Sequence, residues 1–153
     1  MLKLSKLTDY GTLLMTTLAL QPAAVQSAQD LSARSHVAAP TVAKLLKTLV
    51  RSGLVESTRG AHGGYRLARA PETITVAQIV GALEGPIAIT ACAQHGSGCS
   101  IEGSCTSRSN WRLIDSAVRQ ALEAVTLAQM AAPRARSVRL NRIDAPPLAR
   151  SGG

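Results

Sequence analysis

The stretch PTVAKLLKTLVRSG, residues 40–53, constrains the fold of this chain more tightly than any other. Proline suits the first position of a helix, where its missing N–H costs nothing, and glycine suits the left-handed position just past a helix end. Between Pro40 and Gly53, Val42, Leu45, Leu46 and Leu49 recur at helical spacing and face inward. Thr41, Lys44, Lys47, Thr48 and Arg51 fall on the other faces. The preceding AQDLSARS, 28–35, reads as a shorter helix, and HVAA forms a tight link between the two. Two short helices joined by a few residues, the second with a basic polar face, follow the grammar of a helix-turn-helix.

The flanking segments extend that motif. LVEST, 54–58, alternates apolar and polar residues, RGAHGG comes next, and then YRLAR, which predicts a β-hairpin with a glycine-rich tip carrying Arg59 and His62. A helix-turn-helix running directly into such a hairpin is a winged helix. On its N-terminal side, residues 8–20 predict a first helix, with Thr8 or Asp9 as cap and Leu13, Leu14, Met15, Leu18 and Leu20 as its apolar stripe. On the other side, TVAQIVGALE, 75–84, predicts a short helix that Thr75 can cap.

From about Ser109 to Met130 the pattern predicts one long helix. Trp111, Ile114, Val118, Ala121, Val125 and Ala128 recur at steps of three and four and make a seam of the a/d type. A seam outside a compact domain usually buries itself against a copy of itself, giving a two-fold homodimer; the alternative is packing on its own winged helix. The expected fold is therefore mainly α. It comprises a winged helix-turn-helix domain over 1–85, a cysteine loop over 86–108, a long C-terminal dimerisation helix over 109–132, and a Pro- and Arg-rich disordered tail over 133–153.

Composition supports packed helices. The chain has no Phe, and Tyr10, Tyr65 and Trp111 are its only aromatic residues, so Leu, Val, Ile and Ala must build the core. No apolar run approaches the roughly 18 residues of a membrane span. Asp9 interrupts the apolar N-terminal stretch, which lacks a small-residue cleavage site, so no signal peptide is read there. An odd number of cysteines also argues against a secreted disulfide scaffold, and a cytoplasmic protein is expected. Residues 1–70 carry nine Lys/Arg against three acids, residues 71–132 three against five, and residues 133–153 five against one. A basic first half beside a mildly acidic middle suggests a polyanion-binding module joined to something else. An enzyme is not expected, because His36, His62 and His95 all lie in predicted turns or loops and no nucleophile–base pair is evident.

All three cysteines, Cys92, Cys99 and Cys105, fall in the Gly- and Ser-rich stretch ACAQHGSGCSIEGSC. The order LSKLTDYG, helix-turn-helix, RGAHGGYRL, three cysteines, NW and a helix ending VTLAQM resembles the winged-helix transcription regulators typified by the iron–sulfur regulator IscR and the nitric-oxide-sensitive repressor NsrR. The resemblance covers about residues 1–132. LSKLTDYG and CTSRSNW are most similar to regulators of the SUF iron–sulfur assembly operon. It implies a homodimer, an iron–sulfur cluster held by the three cysteines and a fourth ligand, and DNA binding tuned by the state of that cluster.

The residues agree with part of this and depart from part. Thiolates are soft ligands that select iron–sulfur clusters, zinc or Cu(I). The spacing C-x6-C-x5-C is wider than the usual gap between paired zinc ligands. The first gap is one residue longer than in the family members compared. Where the iron–sulfur type places a ligating His, this chain has Arg108, which cannot ligate. The nitric-oxide-sensing type uses an N-terminal Asp from the other subunit, and the matching residue here is Asp9. The competing reading of Asp9 is a carboxylate that interacts with the helix macrodipole. His95, inside the loop, is a second candidate. Whether the cluster would be [2Fe–2S] or [4Fe–4S] stays open.

For DNA, Thr41 and Lys44 are expected at the major groove of a pseudo-palindromic operator, with Pro40 fixing the helix start. Lys47 and Arg51 are expected on phosphates, Arg59 of the wing in a narrow minor groove, and His62 beside wing glycines that let the backbone approach. The function read from the sequence is a cluster-sensing regulator, a repressor of iron–sulfur (SUF) assembly genes. The alternative senses oxidants or nitric oxide through the same cysteines, with a metal-free thiol switch as one form.

Overall fold

A computed structural model describes residues 3–90 and 105–132. The expected ligands Cys92 and Cys99, the candidate His95, and the tail 133–153 lie outside the described residues.

The first helix, α1, is Lys6–Ala19. It starts earlier than the sequence suggests, because its cap is Ser5, whose hydroxyl accepts the Thr8 N–H at 3.2 Å. Thr8 is buried and donates its own hydroxyl to Glu84 Oε1 at 2.6 Å, so it links two helices instead of capping one. Leu14, Met15 and Leu18 are fully buried, whereas Leu13 and Leu20 of the expected stripe are exposed. Those two, the second being the C-cap, stand seven residues apart, and with Tyr10 they share a second face that points to solvent. Gly11 is buried where α1 crosses the helix ending at Glu84. A side chain at this position would have to displace Leu83, so the bare backbone lets the two helices close.

Helices α2, Ala28–Ser35, and α3, Ala39–Arg51, form the helix-turn-helix. Ser27 caps α2 in a reciprocal capping box with Asp30. The turn passes through His36 in the left-handed region, φ 56°. Ser32 and Ser35 fix this turn: the Ser32 hydroxyl donates to the Val37 carbonyl at 2.7 Å, and the Ser35 hydroxyl to the Leu31 carbonyl at 2.6 Å. Helix α3 buries Val42, Leu45, Leu46 and Leu49, as its spacing predicts.

Strands β1, Val55–Thr58, and β2, Gly64–Leu67, pair antiparallel, with Val55 opposite Leu67 and Glu56 opposite Arg66. Gln26 adds a contact the sequence does not announce. It exchanges backbone hydrogen bonds with Tyr65 on the free edge of β2, at 2.9 and 2.8 Å, and ties the wing to the α1–α2 link. After a 3-10 turn at Pro71–Thr73, α4 runs Val76–Glu84 under a Thr75–Gln78 capping box.

The C-terminal region departs from the expected single helix. Helix α5 is Arg108–Glu123, the chain leaves helical geometry, and a short α6 is Leu127–Ala131. Two forces interrupt it. The Thr126 hydroxyl accepts the Gln129 N–H and caps α6, and the backbone beside it pairs elsewhere. The Val76 N–H donates to the Val125 carbonyl at 2.9 Å, and the Leu127 N–H to the Ile74 carbonyl at 2.8 Å. Leu127 is thereby fully buried in the winged-helix core with Leu14, Leu46 and Ile79. Val125 lies in the link and not on a helical seam. The seam along α5 is therefore Trp111, Ile114, Val118 and Ala121, the first two exposed and the others half-buried.

Candidate nucleic-acid interface and cysteine-loop anchor

Helix α3 contains no acidic residue. Steps of four, three and four residues place Pro40, Lys44, Lys47 and Arg51 on one stripe opposite the buried leucines, and all four are exposed. Pro40 is the second helical residue, since α3 opens at Ala39 behind Ala38, which makes no side-chain cap. Thr41 is half-buried at the flank of the stripe, and its N–H donates to the Ala38 carbonyl at 2.9 Å. Among the described residues none forms an ion pair with Lys44, Lys47, Arg51 or Arg59. They are exposed and so accessible to an external anion. Arg66 differs: it is fixed across the hairpin by two 3.1 Å hydrogen bonds to Glu56.

Arg59 and His62 are exposed in the turn between β1 and β2, where the sequence puts the tip of the wing. The hairpin base is held on both sides, by Val55 and Leu67 in the core and by Gln26 along β2, so the tip projects from a fixed stem. Gln26 is itself buried and accepts a hydrogen bond from Arg34 of α2. Spacing could not reveal it, because a single bridging residue has no period.

The cysteine loop is described only at its two roots. At the exit, Cys105 is a free, half-buried thiol just ahead of α5, and its carbonyl accepts the Arg108 N–H at 3.4 Å. At the entrance, the peptide 87–89 is tied to α5. The Ile89 N–H donates to Asp115 Oδ1 at 3.1 Å, and the Ile87 carbonyl accepts from Arg119 at 3.1 Å. Arg119 also pairs with Asp115 Oδ2 at 3.1 Å. Asp115 is the only buried residue of α5. Sequence reasoning passed over both residues, although an Asp and an Arg four positions apart on a helix are a legible pair.

Asp9 is exposed in the first turn of α1, and its carboxylate takes no hydrogen bond from another described residue. Glu84 is engaged nearby. The Thr8 hydroxyl and the Ser5 N–H both donate to Glu84 Oε1, and these bonds hold its carboxyl below the ordinary value. None of the described helices is long and apolar enough to cross a membrane.

A recognition helix with an exposed basic stripe, followed by a core-anchored hairpin, defines a winged helix-turn-helix DNA-binding protein. Residues 4–133 match the Rrf2 family, described as iron-dependent transcriptional regulators, and the chain belongs to that family. It is 35% identical over 130 residues to a protein of Synechocystis sp. named as an HTH-type transcriptional regulator, covering 84% of this chain and 87% of the relative. Among solved structures it is similar to the global cysteine regulator CymR of B. subtilis. That match has TM-score 0.69 and 31% identity and covers 86% of this chain and 97% of the other. It is also similar to T. potens IscR, with TM-score 0.65 and 31% identity, over 84% and 85% of the two chains. The protein is thus a transcriptional regulator and not an enzyme, and the resemblance to IscR- and NsrR-type regulators read from its motifs holds.

Proposed function

We propose that this regulator is a homodimeric sensor of iron–sulfur cluster status that represses iron–sulfur (SUF) assembly genes. The observation that carries the reading is the position of Cys105. It is a free, half-buried thiol at the point where the cysteine loop enters α5, a helix with an exposed apolar face. A ligand at that junction joins the sensing loop directly to the surface expected to hold the dimer.

The donor chemistry fits a cluster. Cys92, Cys99 and Cys105 would hold it through thiolates, which are its usual ligands. Arg108 has no lone pair to offer, so for the fourth position we take the partner subunit's Asp9, which the resemblance to the nitric-oxide-sensing type implies, with His95 of the loop as the second candidate. Asp9 of this chain is exposed and takes no hydrogen bond among the described residues, as suits a ligand reaching across a dimer. When bound, the cluster supplies a link that oxygen, nitric oxide or iron shortage can break. Asp9 stands on α1, which packs against both α2 and α3, so release of that link bears on the helix-turn-helix itself. Lys44 and Thr41 read bases, Lys47 and Arg51 hold phosphates, and Arg59 and His62 of the wing reach the neighbouring backbone and minor groove. The protein would act in the cytoplasm on a pseudo-palindromic operator.

Purification without oxygen, followed by visible absorption and by iron and sulfide analysis, tests the reading. A brown protein absorbing at about 400–460 nm, with sulfide in stoichiometric amount, is expected. A protein that stays colourless after reconstitution overturns the cluster. The second reading then takes its place: the free thiol of Cys105, with Cys92 and Cys99, acts as a metal-free oxidant switch.

A further inference from the structure

We infer that Asp115 and Arg119 are positioning residues for the cysteine loop: they fix the peptide from which Cys92 emerges and make α5 the element that responds to the loop. The inference rests on the reading that this loop carries a cluster.

Asp115 is 6% exposed and belongs to a helix whose other residues are all more open to solvent. A lone buried carboxylate must be satisfied by hydrogen bonds or opposite charge. Both of its oxygens are used, and both lead to the loop entrance. Oδ1 takes the Ile89 N–H, and Oδ2 takes Arg119, which also donates to the Ile87 carbonyl. Two side chains one turn apart on α5 therefore grip a backbone N–H and a backbone carbonyl of the same three-residue segment. Cys92 follows Ile89 by three residues, and Cys105 precedes α5 by three. Both roots of the loop are consequently referred to α5, one by covalent continuity and one by this clamp. Three thiolates gathered from a glycine-rich segment lose much chain entropy on converging, and a loop whose ends are already fixed loses less.

The test compares wild type with Asp115→Ala, Asp115→Asn and Arg119→Met by two readouts. One is amide hydrogen exchange of cluster-free protein, followed at Ile89 with Leu46 and Leu127 as controls. The other is the decay in air of the visible absorption of reconstituted protein. Asp115→Ala is expected to speed Ile89 exchange about tenfold with the controls unchanged, and to shorten cluster lifetime several-fold. Asp115→Asn keeps an oxygen for the Ile89 N–H and should restore much of the protection. Arg119→Met should fall between. Unchanged exchange at Ile89 overturns the clamp, and faster exchange with unchanged cluster lifetime overturns its role in positioning the loop. If Asp115→Ala unfolds, the control amides report it and the other two variants decide. Should wild type take up no iron or sulfide, the cluster reading fails separately. Alkylation of Cys92 then judges the clamp: a faster rate in Asp115→Ala supports it, and an equal rate overturns it.

Discussion

Thr75 and Thr126 face each other in an isolated antiparallel bridge, and each caps the helix that comes after it with its hydroxyl while a Gln three residues on completes the capping box. This pairing ends α5 at Glu123 and inserts Leu127 into the core of the winged helix. Thr126→Ala should cost about 1 kcal/mol through loss of the cap. Leu127→Ala should cost about 2–5 kcal/mol, as expected for a fully buried leucine. Urea unfolding at fixed protein concentration checks both. A Leu127→Ala loss below that of Thr126→Ala would contradict the insertion.

The hydrogen bonds on Glu84 make part of the fold's stability pH-dependent. Its folded pKa is lowered by the Thr8 hydroxyl first and then by Ser5. A depressed carboxylate contributes stability that is fully present above its unfolded value, near 4.5, and is lost as pH falls through the folded value. Glu84→Gln should therefore lower stability at neutral pH and flatten its decline in acid. Thermal melts of both proteins across the acid range decide this, and parallel curves would remove Glu84 from the account.

Asp9 separates the two readings its position allows. If the partner subunit's Asp9 is the fourth ligand, Asp9→Ala leaves a folded dimer whose cluster is lost faster and whose visible spectrum shifts. If Asp9 only interacts with the helix macrodipole, the substitution costs about 0.3–1 kcal/mol and leaves spectrum and lifetime unchanged. Anaerobic absorption spectra with a timed exposure to air distinguish the two.

Leu113 and Ile114 are 42% and 43% exposed and Trp111 is 39% exposed, all within the first two turns of α5. Such a cluster at the head of a helix is the expected footing of a two-fold interface. Ile114→Glu should shift the protein from dimer to monomer in sedimentation while leaving the winged helix folded, and should weaken operator binding with it. A variant that remains dimeric would move the interface elsewhere, with the exposed Tyr10, Leu13 and Leu20 of α1 as the next face to test.

Much of this was legible in the sequence for identifiable reasons. Pro40, Gly53 and the leucines between them mark α3 because capping and periodicity are local, and RGAHGGYRL marks the wing because its turn demands glycine. The α5–α6 break was not legible. Val125 and Ala128 continue the spacing of the seam, and only the distant Ile74 and Val76 reveal that the backbone there pairs across the fold. Thr8 misled as a cap for a related reason, since Glu84 competes for its hydroxyl from far along the chain. Asp115 was hidden by its charge, because an acid on an amphipathic helix is read as a solvated residue until its partners are seen.

The basic stripe of α3 and the tip of the wing give a salt-dependence prediction that separates roles. A side chain that neutralises a phosphate releases counterion on binding, so its removal lowers the slope of log affinity against log salt by about one unit for each contact. Lys47→Ala and Arg51→Ala should each do this and weaken all DNA sequences alike. Lys44→Ala and Thr41→Ala should instead relax discrimination at particular operator positions by about 1–3 kcal/mol, the worth of a base contact. Arg59→Ala should reduce affinity most for operators with A·T-rich flanks, where the minor groove is narrow, and His62→Ala should weaken binding without altering preference. Fluorescence anisotropy over a salt series, with operator and scrambled duplexes, measures all of these together. Equal slopes for wild type and the Lys47 and Arg51 variants would show that the stripe does not face DNA, since an unpaired cation on a bound surface cannot be removed without changing the counterion count.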